Sequence, residues 1–169
     1  MRRLILEGLL RGPLTEKTAP PADADIEALG ARLSEVAQHK LGRSLSIRAV
    51  DAGSCNGCEL EIHALGNPYY DLERFGLRFV ASPRHADVLL VTGPVTKNMQ
   101  EGLQRTYAAT PDPKFVVAVG DCACTGGIFA DSYACVGAVS NVVPVDLRIP
   151  GCPPSPTALL QGLLALFEK

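Results

Sequence analysis

Hydrophobic positions along this chain follow the period of a helix in some segments and that of a strand in others. Between residues 25 and 41 they recur every three or four residues, which predicts an amphipathic helix that ends at Gly42. Residues 45–50 alternate as a half-buried strand does. Residues 88–92 and 115–119 are almost continuously apolar, which is typical of parallel strands covered on both faces.

The remaining segments continue this alternation of strands with helices. The pattern predicts short strands at 77–80 and 142–145 and helices at 59–65, 98–109 and 156–167. The last helix has Ser155 as its expected N-cap and Pro156 as its first residue. Strands that alternate with helices indicate an α/β fold with a doubly wound, mostly parallel sheet.

Two parts of unequal size are expected. Residues 1–44 are predicted to form an N-terminal arm and the amphipathic helix, and residues 45–169 the main domain. The apolar stretch at residues 4–10 is too short to bury its own side chains in a stable helix, and prolines follow it. We therefore expect this arm to contact a partner or a membrane surface.

Composition and charge exclude several classes of protein. With 169 residues, 47% of them hydrophobic, the chain can bury the core of one domain. Its 16 basic and 18 acidic residues nearly balance and it has no Trp, so the footprint of a nucleic-acid-binding protein is missing. Since no apolar stretch approaches the roughly 18 residues of a membrane span, we expect the chain not to cross a bilayer.

Six cysteines are the unusual feature of the composition. An apolar core of this size does not need disulfides, and the element pattern is that of an intracellular domain. The pair Arg2–Arg3 could open an export signal, but no small-residue cleavage site follows it at the usual distance. The thiols are thus expected in a reducing compartment, where clustered cysteines indicate metal or redox chemistry.

Four of these cysteines follow the ends of predicted strands. Cys55 and Cys58 come after the first strand, Cys122 after the strand at 115–119, and Cys152 after the last extended segment. The carboxyl ends of parallel strands meet at one edge of a sheet, and ligand sites form there. We therefore expect these four thiols to converge.

Such a quartet of thiolates can hold tetrahedral zinc or an iron–sulfur cluster. Structural zinc sites usually combine two C-x2–4-C pairs, whereas this chain has one such pair and two single cysteines. Glycines near the four cysteines would let backbone N–H groups approach cluster sulfurs. The spacing favours iron–sulfur, and zinc or buried thiols without metal remain alternatives.

The other two cysteines are expected to be small buried hydrophobic residues. Cys135 lies in an apolar stretch. Cys124 is only two residues from Cys122, too close for both to bind one cluster without strain, so Cys124 is the alternative ligand should Cys122 not serve.

Several segments bear the motifs of a known family. Residues 54–61, SCNGCELE, resemble the cluster loop of nickel–iron hydrogenase small subunits. Residues 71–76 (DLERFG), 82–88 (SPRHADV) and 144–154 (PVDLRIPGCPP) resemble the related small subunit of respiratory complex I. The resemblance extends over residues 49–166.

The resemblance implies a flavodoxin-like fold with one 4Fe–4S cluster at the carboxyl edge of the sheet, bound by Cys55, Cys58, Cys122 and Cys152. Complex I members typically have two adjacent cysteines, whereas Gly57 precedes Cys58 here. That arrangement resembles the membrane-bound, energy-converting hydrogenases, including formate hydrogenlyase.

In this family the subunit passes electrons between the nickel–iron site of a large subunit and clusters of a ferredoxin-like subunit. The resemblance also implies integral membrane subunits as partners and a peripheral position on the cytoplasmic side of the inner membrane. Glu59 and Glu61 are candidates for a proton path, although both could instead stabilise a helix N-terminus. The alternatives are a complex I-like NADH–quinone oxidoreductase subunit, which passes electrons to quinone, and a zinc-stabilised interaction domain.

Overall fold

The structure, a computed structural model, describes residues 24–168. Its helices are α1 (Ala24–Leu41), α2 (Gly57–Ala64), α3 (Lys97–Ala109), α4 (Asp121–Thr125) and α5 (Pro156–Glu168). Its strands are β1 (Leu45–Asp51), β2 (Leu77–Phe79), β3 (Val88–Thr92), β4 (Val95–Thr96), β5 (Phe115–Val119), β6 (Cys135–Gly137) and β7 (Leu147–Ile149). The predicted contact of the N-terminal arm lies outside these residues.

Five strands form one parallel sheet in the order β2-β1-β3-β5-β7. Numbered within the sheet, this is the order 2-1-3-4-5 of flavodoxin-like domains. Every residue of β3 is buried, as expected of a central parallel strand covered on both faces. The α/β prediction with a mostly parallel sheet is therefore confirmed.

Helices cover both faces of the sheet. Leu33 of α1, Ile62 of α2 and Leu163 of α5 belong to the larger core cluster on one face. Leu103 of α3 and Ala123 of α4 belong to the second cluster on the other face. No helix in residues 24–168 is long and apolar enough to cross a membrane.

The strand order reverses between β1 and β3, which are neighbours at the centre of the sheet. In sheets of this kind, ligands bind in the crevice beyond the carboxyl ends of the strands where the order reverses. The loop of residues 52–56 leaves β1 at that point, so the fold places the first cysteine pair, Cys55 and Cys58, beside this crevice.

The predicted strand at residues 142–145 is wrong. Val139 and Val143 instead bury their side chains in the second core cluster around a short 3-10 turn, and Pro144 has no N–H to give to a ladder. The edge strand forms later in the chain, as β7. Asp146, which directly precedes β7, connects it to β5 because the N–H of Asp146 donates to the carbonyl of Val116 at 2.9 Å.

A two-stranded antiparallel ribbon of β4 and β6 was not predicted, because elements of two and three residues carry no periodicity. The predicted amphipathic helix is α1, which packs on the same core as the sheet through Leu33 and Ala37. The division at residue 44 falls between α1 and β1 and stays a prediction.

Candidate metal centre

Four thiols lie around one cavity at the carboxyl edge of the sheet. Cys55, Cys58, Cys122 and Cys152 all line this cavity, whose volume is about 150 Å³. The other lining residues are Ser54, Gly57, Gly93, Asp121, Gly151 and Pro153. The structure thus brings together side chains that are up to 97 positions apart, from 55 to 152, in the sequence.

The first cysteine loop is built by its own side chains. Oδ1 of Asp51 accepts hydrogen bonds from the backbone N–H groups of Gly53 and Ser54, both at 2.7 Å. Oγ of Ser54 accepts one from the N–H of Asn56 at 3.0 Å. Asn56 adopts a left-handed conformation (φ 71°), which asparagine tolerates better than most residues, and α2 begins directly after it. Cys58 consequently lies in the first turn of that helix.

Glu59 connects this loop to the neighbouring strand. Its two carboxylate oxygens accept hydrogen bonds from the hydroxyl groups of Ser54 and Thr92. Glu61, the second glutamate singled out from the sequence, is half-buried and makes no hydrogen bond or ion pair with any residue of the described part. The two glutamates therefore have different surroundings although they lie on one turn of one helix.

The other two cysteines are brought together by backbone geometry. Cys122 lies in the first turn of α4, and Asp121 at the start of this helix makes two hydrogen bonds with Gly151. The N–H of Asp121 donates to the carbonyl of Gly151 at 2.9 Å, and Oδ1 of Asp121 accepts from the N–H of Gly151 at 2.8 Å. Since Cys152 follows Gly151, this pair of bonds fixes one thiol-bearing turn against the other.

Two glycines keep the space around the thiols open. A Cβ atom on Gly120, whose φ is 87°, would lie 2.6 Å from Sγ of Cys58. A Cβ atom on Gly127, whose φ is 52°, would lie 2.8 Å from Sγ of Cys122. A side chain at either position would collide with a cysteine sulfur, so glycine keeps the space beside both sulfur atoms open. Glycine loses more conformational freedom on folding than other residues, which is the cost of this arrangement.

The thiols repel one another when they ionise. Burial raises the pKa of Cys58 to about 12, and the charges of Glu59 and of the other three thiols add to the rise. Burial also raises the pKa of Cys122, and the negative charges of Cys152 and Cys55 raise it further. Four thiolates at these positions therefore need positive charge among them, which bound metal supplies.

The two remaining cysteines do not line the cavity. Cys124 is buried in the second core cluster, where its thiol lies 3.6 Å from the carbonyl oxygen of Ala118 and burial raises its pKa. Cys135 is half-buried in β6. Cys124 thus has the surroundings of a small hydrophobic residue, and Cys122 is the one that faces the other thiols.

The donor set and the space fit a sulfur-ligated group larger than one ion. Zinc with four thiolates has bonds of about 2.3 Å, so its sulfur atoms close tightly around it. In residues 24–168 no three His, Cys, Asp or Glu side chains lie close enough to hold a single metal ion. The four thiols surround a wider cavity, and glycines keep it clear.

Comparison with known proteins gives a consistent set of relatives. The family model described as the NADH ubiquinone oxidoreductase 20 kDa subunit matches residues 55–166. A probable membrane-bound hydrogenase subunit, mbhJ of Pyrococcus furiosus, is 49% identical over 76% of this chain and 77% of its own length. Formate hydrogenlyase subunit 7 of Escherichia coli is 50% identical over 77% of this chain, which spans about half (52%) of that relative.

A solved structure also resembles the fold. A chain of the membrane-bound sulfane sulfur reductase, an archaeal respiratory membrane complex, superposes with a TM-score of 0.67 and 37% sequence identity. The similarity covers 82% of this chain and 74% of that chain. Both the sequence and the architecture therefore point to one family.

Proposed function

This chain belongs to the family of the NADH ubiquinone oxidoreductase 20 kDa subunit, and from that membership we propose that it is the electron-transfer subunit of a membrane-bound nickel–iron hydrogenase complex. The observation that carries the proposal is the cavity at the carboxyl edge, lined by Cys55, Cys58, Cys122 and Cys152. No other set of described residues offers four donors of one chemical type in one place.

In this proposal the four cysteines bind one 4Fe–4S cluster. Such a cluster, when bound, takes up and releases one electron at a time. The residues of the chain hold it in a fixed place and tune it: Gly120 and Gly127 leave room beside the sulfur atoms. The backbone N–H of Ile128 partly offsets the rise in the pKa of Cys122, and backbone N–H groups beside cluster sulfurs adjust a cluster's potential.

Three kinds of partner subunit are proposed. The cluster exchanges electrons with the nickel–iron site of a large subunit and with a ferredoxin-like iron–sulfur subunit, and integral membrane subunits hold the assembly at the cytoplasmic side of the inner membrane. Large exposed apolar side chains support an interface, because Ile128 is 89% and Tyr133 90% exposed in the segment after α4. Leu60 on α2 is exposed as well.

A complex I-like subunit that passes electrons to quinone is the second candidate, because the matching family model is that of a complex I subunit. The C-x2-C arrangement of Cys55 and Cys58 favours the hydrogenase instead, since complex I members typically have two adjacent cysteines. A zinc-stabilised interaction domain is disfavoured because no three His, Cys, Asp or Glu side chains in residues 24–168 lie close enough to hold a single ion.

A proton path through Glu59 and Glu61 stays a prediction. Glu61 has no partner among the described residues, which supports it as a group free to exchange protons. Glu59, in contrast, accepts hydrogen bonds from the hydroxyl groups of Ser54 and Thr92.

The complex itself tests the proposal. We expect that a tagged version of this chain, purified anaerobically from its host, brings down a large subunit containing nickel, and that the complex oxidises hydrogen with a dye as acceptor. A complex that contains iron but no nickel, and that reduces quinone instead, would favour the second candidate. A chain that carries zinc and no iron would contradict both.

A further inference from the structure

The loop of residues 52–56, helix α2 and strand β3 meet at Glu59. Ser54, which immediately precedes Cys55, donates a hydrogen bond to one carboxylate oxygen, and Thr92 donates to the other. Thr92 is the last residue of β3 and is only 1% exposed. One side chain on α2 therefore ties the loop and the helix to the rigid centre of the sheet.

The surrounding bonds make this tie a side-chain link between the loop and β3, beside the backbone bond of 3.0 Å from the N–H of Ala52 to the carbonyl of Thr92. Oγ of Ser54 also accepts from the N–H of Asn56 at 3.0 Å, inside the loop. Oγ1 of Thr92 also reaches the carbonyl of Val50 at 3.3 Å, inside the sheet. Glu59 joins these two local networks, and Cys55 and Cys58 lie on either side of the junction.

We propose that Glu59 is a positioning residue that holds Cys55 and Cys58 at a fixed separation, by accepting hydrogen bonds from Ser54 and Thr92 at the same time. The inference rests on the proposed function, since the two thiols are positioned for an iron–sulfur group. It differs from a proton path because it requires both hydroxyl donors and no transfer of a proton.

Variants of the three residues separate positioning from other effects. Glu59→Gln replaces one carboxylate oxygen by an amino group, so the two hydroxyl donors no longer have two acceptors of equal kind. Thr92→Val removes the hydroxyl at nearly constant volume, and Thr92→Ser keeps it. Glu61→Gln is the matched control: the same substitution on the same helix, at a residue with no hydrogen bond or ion pair to residues 24–168.

The experiment measures iron release from the purified complex. Iron is followed colorimetrically after addition of a chelator, and the electron paramagnetic resonance spectrum of the reduced complex is recorded before it. Because hydrogen bonds to a charged acceptor are stronger than neutral ones, we expect Glu59→Gln and Thr92→Val to release iron about tenfold faster and to shift the resonance line shape. Thr92→Ser and Glu61→Gln should stay within about twofold of the unaltered complex.

The double variant decides whether the residues act together. Glu59→Gln combined with Thr92→Val should release iron no faster than the faster single variant, because both remove the same link. Circular dichroism of each variant checks folding, and should Glu59→Gln fail to fold, Thr92→Val and its serine counterpart carry the test. Additive effects in the double variant would overturn the inference.

Other results would overturn it as well. Unchanged release and spectrum in both Glu59→Gln and Thr92→Val would show that the bonds do not position the thiols. Equal acceleration by Glu59→Gln and Glu61→Gln would reduce the effect to lost negative charge. If the unaltered chain holds no iron, the proposed function fails. If it holds iron but Glu59→Gln and Thr92→Val release it at the same rate as the control Glu61→Gln, only this inference fails.

Discussion

The two halves of the cysteine cavity are held in different ways. Cys55 and Cys58 lie in one short loop whose shape comes from side chains, among them Asp51 and Glu59. Cys122 and Cys152 lie 30 residues apart and are joined by backbone and side-chain bonds between the two turns that follow β5 and β7. One half is therefore local in the sequence and the other depends on the whole sheet.

The difference matters for how each half fails. In the first half, the loss of Asp51 or of Glu59 removes two hydrogen bonds and leaves the loop anchored by the bonds of the other residue. In the second half, each thiol arrives on a separate turn, and its place depends on glycine conformations and on the strand order. Substitutions that remove a ligand or a required glycine in the second half should therefore cost more iron than substitutions that weaken side-chain bonds in the first half.

The largest effect is expected from the removal of a ligand in the second half. Cys152→Ser should abolish iron binding, because no other described thiol faces the cavity to replace it. Cys135→Ser is the control and should retain iron, since Cys135 does not line the cavity. Iron per chain and the absorbance at about 400 nm measure both; equal losses would reverse the ligand assignment.

A methyl group at Gly120 should have the next largest effect. Gly120→Ala places a Cβ atom 2.6 Å from Sγ of Cys58. It also adds the strain of a backbone conformation, φ 87° and ψ 160°, that only glycine adopts readily, which costs about 1–3 kcal/mol. We expect most of the iron to be lost. Gly42→Ala is the matched control, because Gly42 has φ 65° but nothing within 4 Å of its Cβ position.

The two glycine variants can be compared directly. Both should lower the free energy of unfolding, measured with urea, but only Gly120→Ala should lower the iron content. If Gly42→Ala lost as much iron, the effect would come from backbone strain in general rather than from the space around the thiol.

A moderate effect is expected when the two turns of the second half are untied. Asp121→Ala removes the acceptor for the N–H of Gly151, a bond worth about 1 kcal/mol, and should speed iron release about fivefold. Asp121→Asn keeps an oxygen acceptor and should restore most of the stability. Asp131→Ala is the control at an exposed aspartate with no bond to the described residues; if it accelerated release equally, the tie would be irrelevant.

The smallest effect on iron is expected at the second thiol of α4. Cys124→Ala should keep the full iron content, because Cys124 is buried in the core away from the cavity, while the free energy of unfolding falls by about 1 kcal/mol. Cys122→Ser should show the reverse: little change in the unfolding of the metal-free chain and loss of iron. The opposite pattern would make Cys124 the ligand.

The local half of the site and most of the fold could be predicted from the sequence. The spacing of Cys55 and Cys58 is visible in four consecutive positions, and the buried strands β3 and β5 have unbroken apolar runs. The approach of all four cysteines followed from one rule about the ends of parallel strands. Those signals are short-range patterns or topological regularities.

The rest depends on contacts that have no local pattern. β7 forms at residues 147–149 rather than 142–145, because Val143 is needed in the core and Asp146 pairs with Val116 of β5. The bonds between Asp121 and Gly151 join residues that only the completed sheet brings together. The sequence marks Glu59 as an acidic residue near a cysteine, but its bond with Thr92 depends on the alignment of the strands.

The measurement that tests the central claim most directly is the content of iron, acid-labile sulfide and zinc in the anaerobically purified complex, compared with the same complex carrying Cys152→Ser. The substitution should remove about four iron and about four sulfide per chain, because we propose that the four cysteines hold one 4Fe–4S cluster. Loss of a single zinc ion, or no change in any of the three, would contradict it.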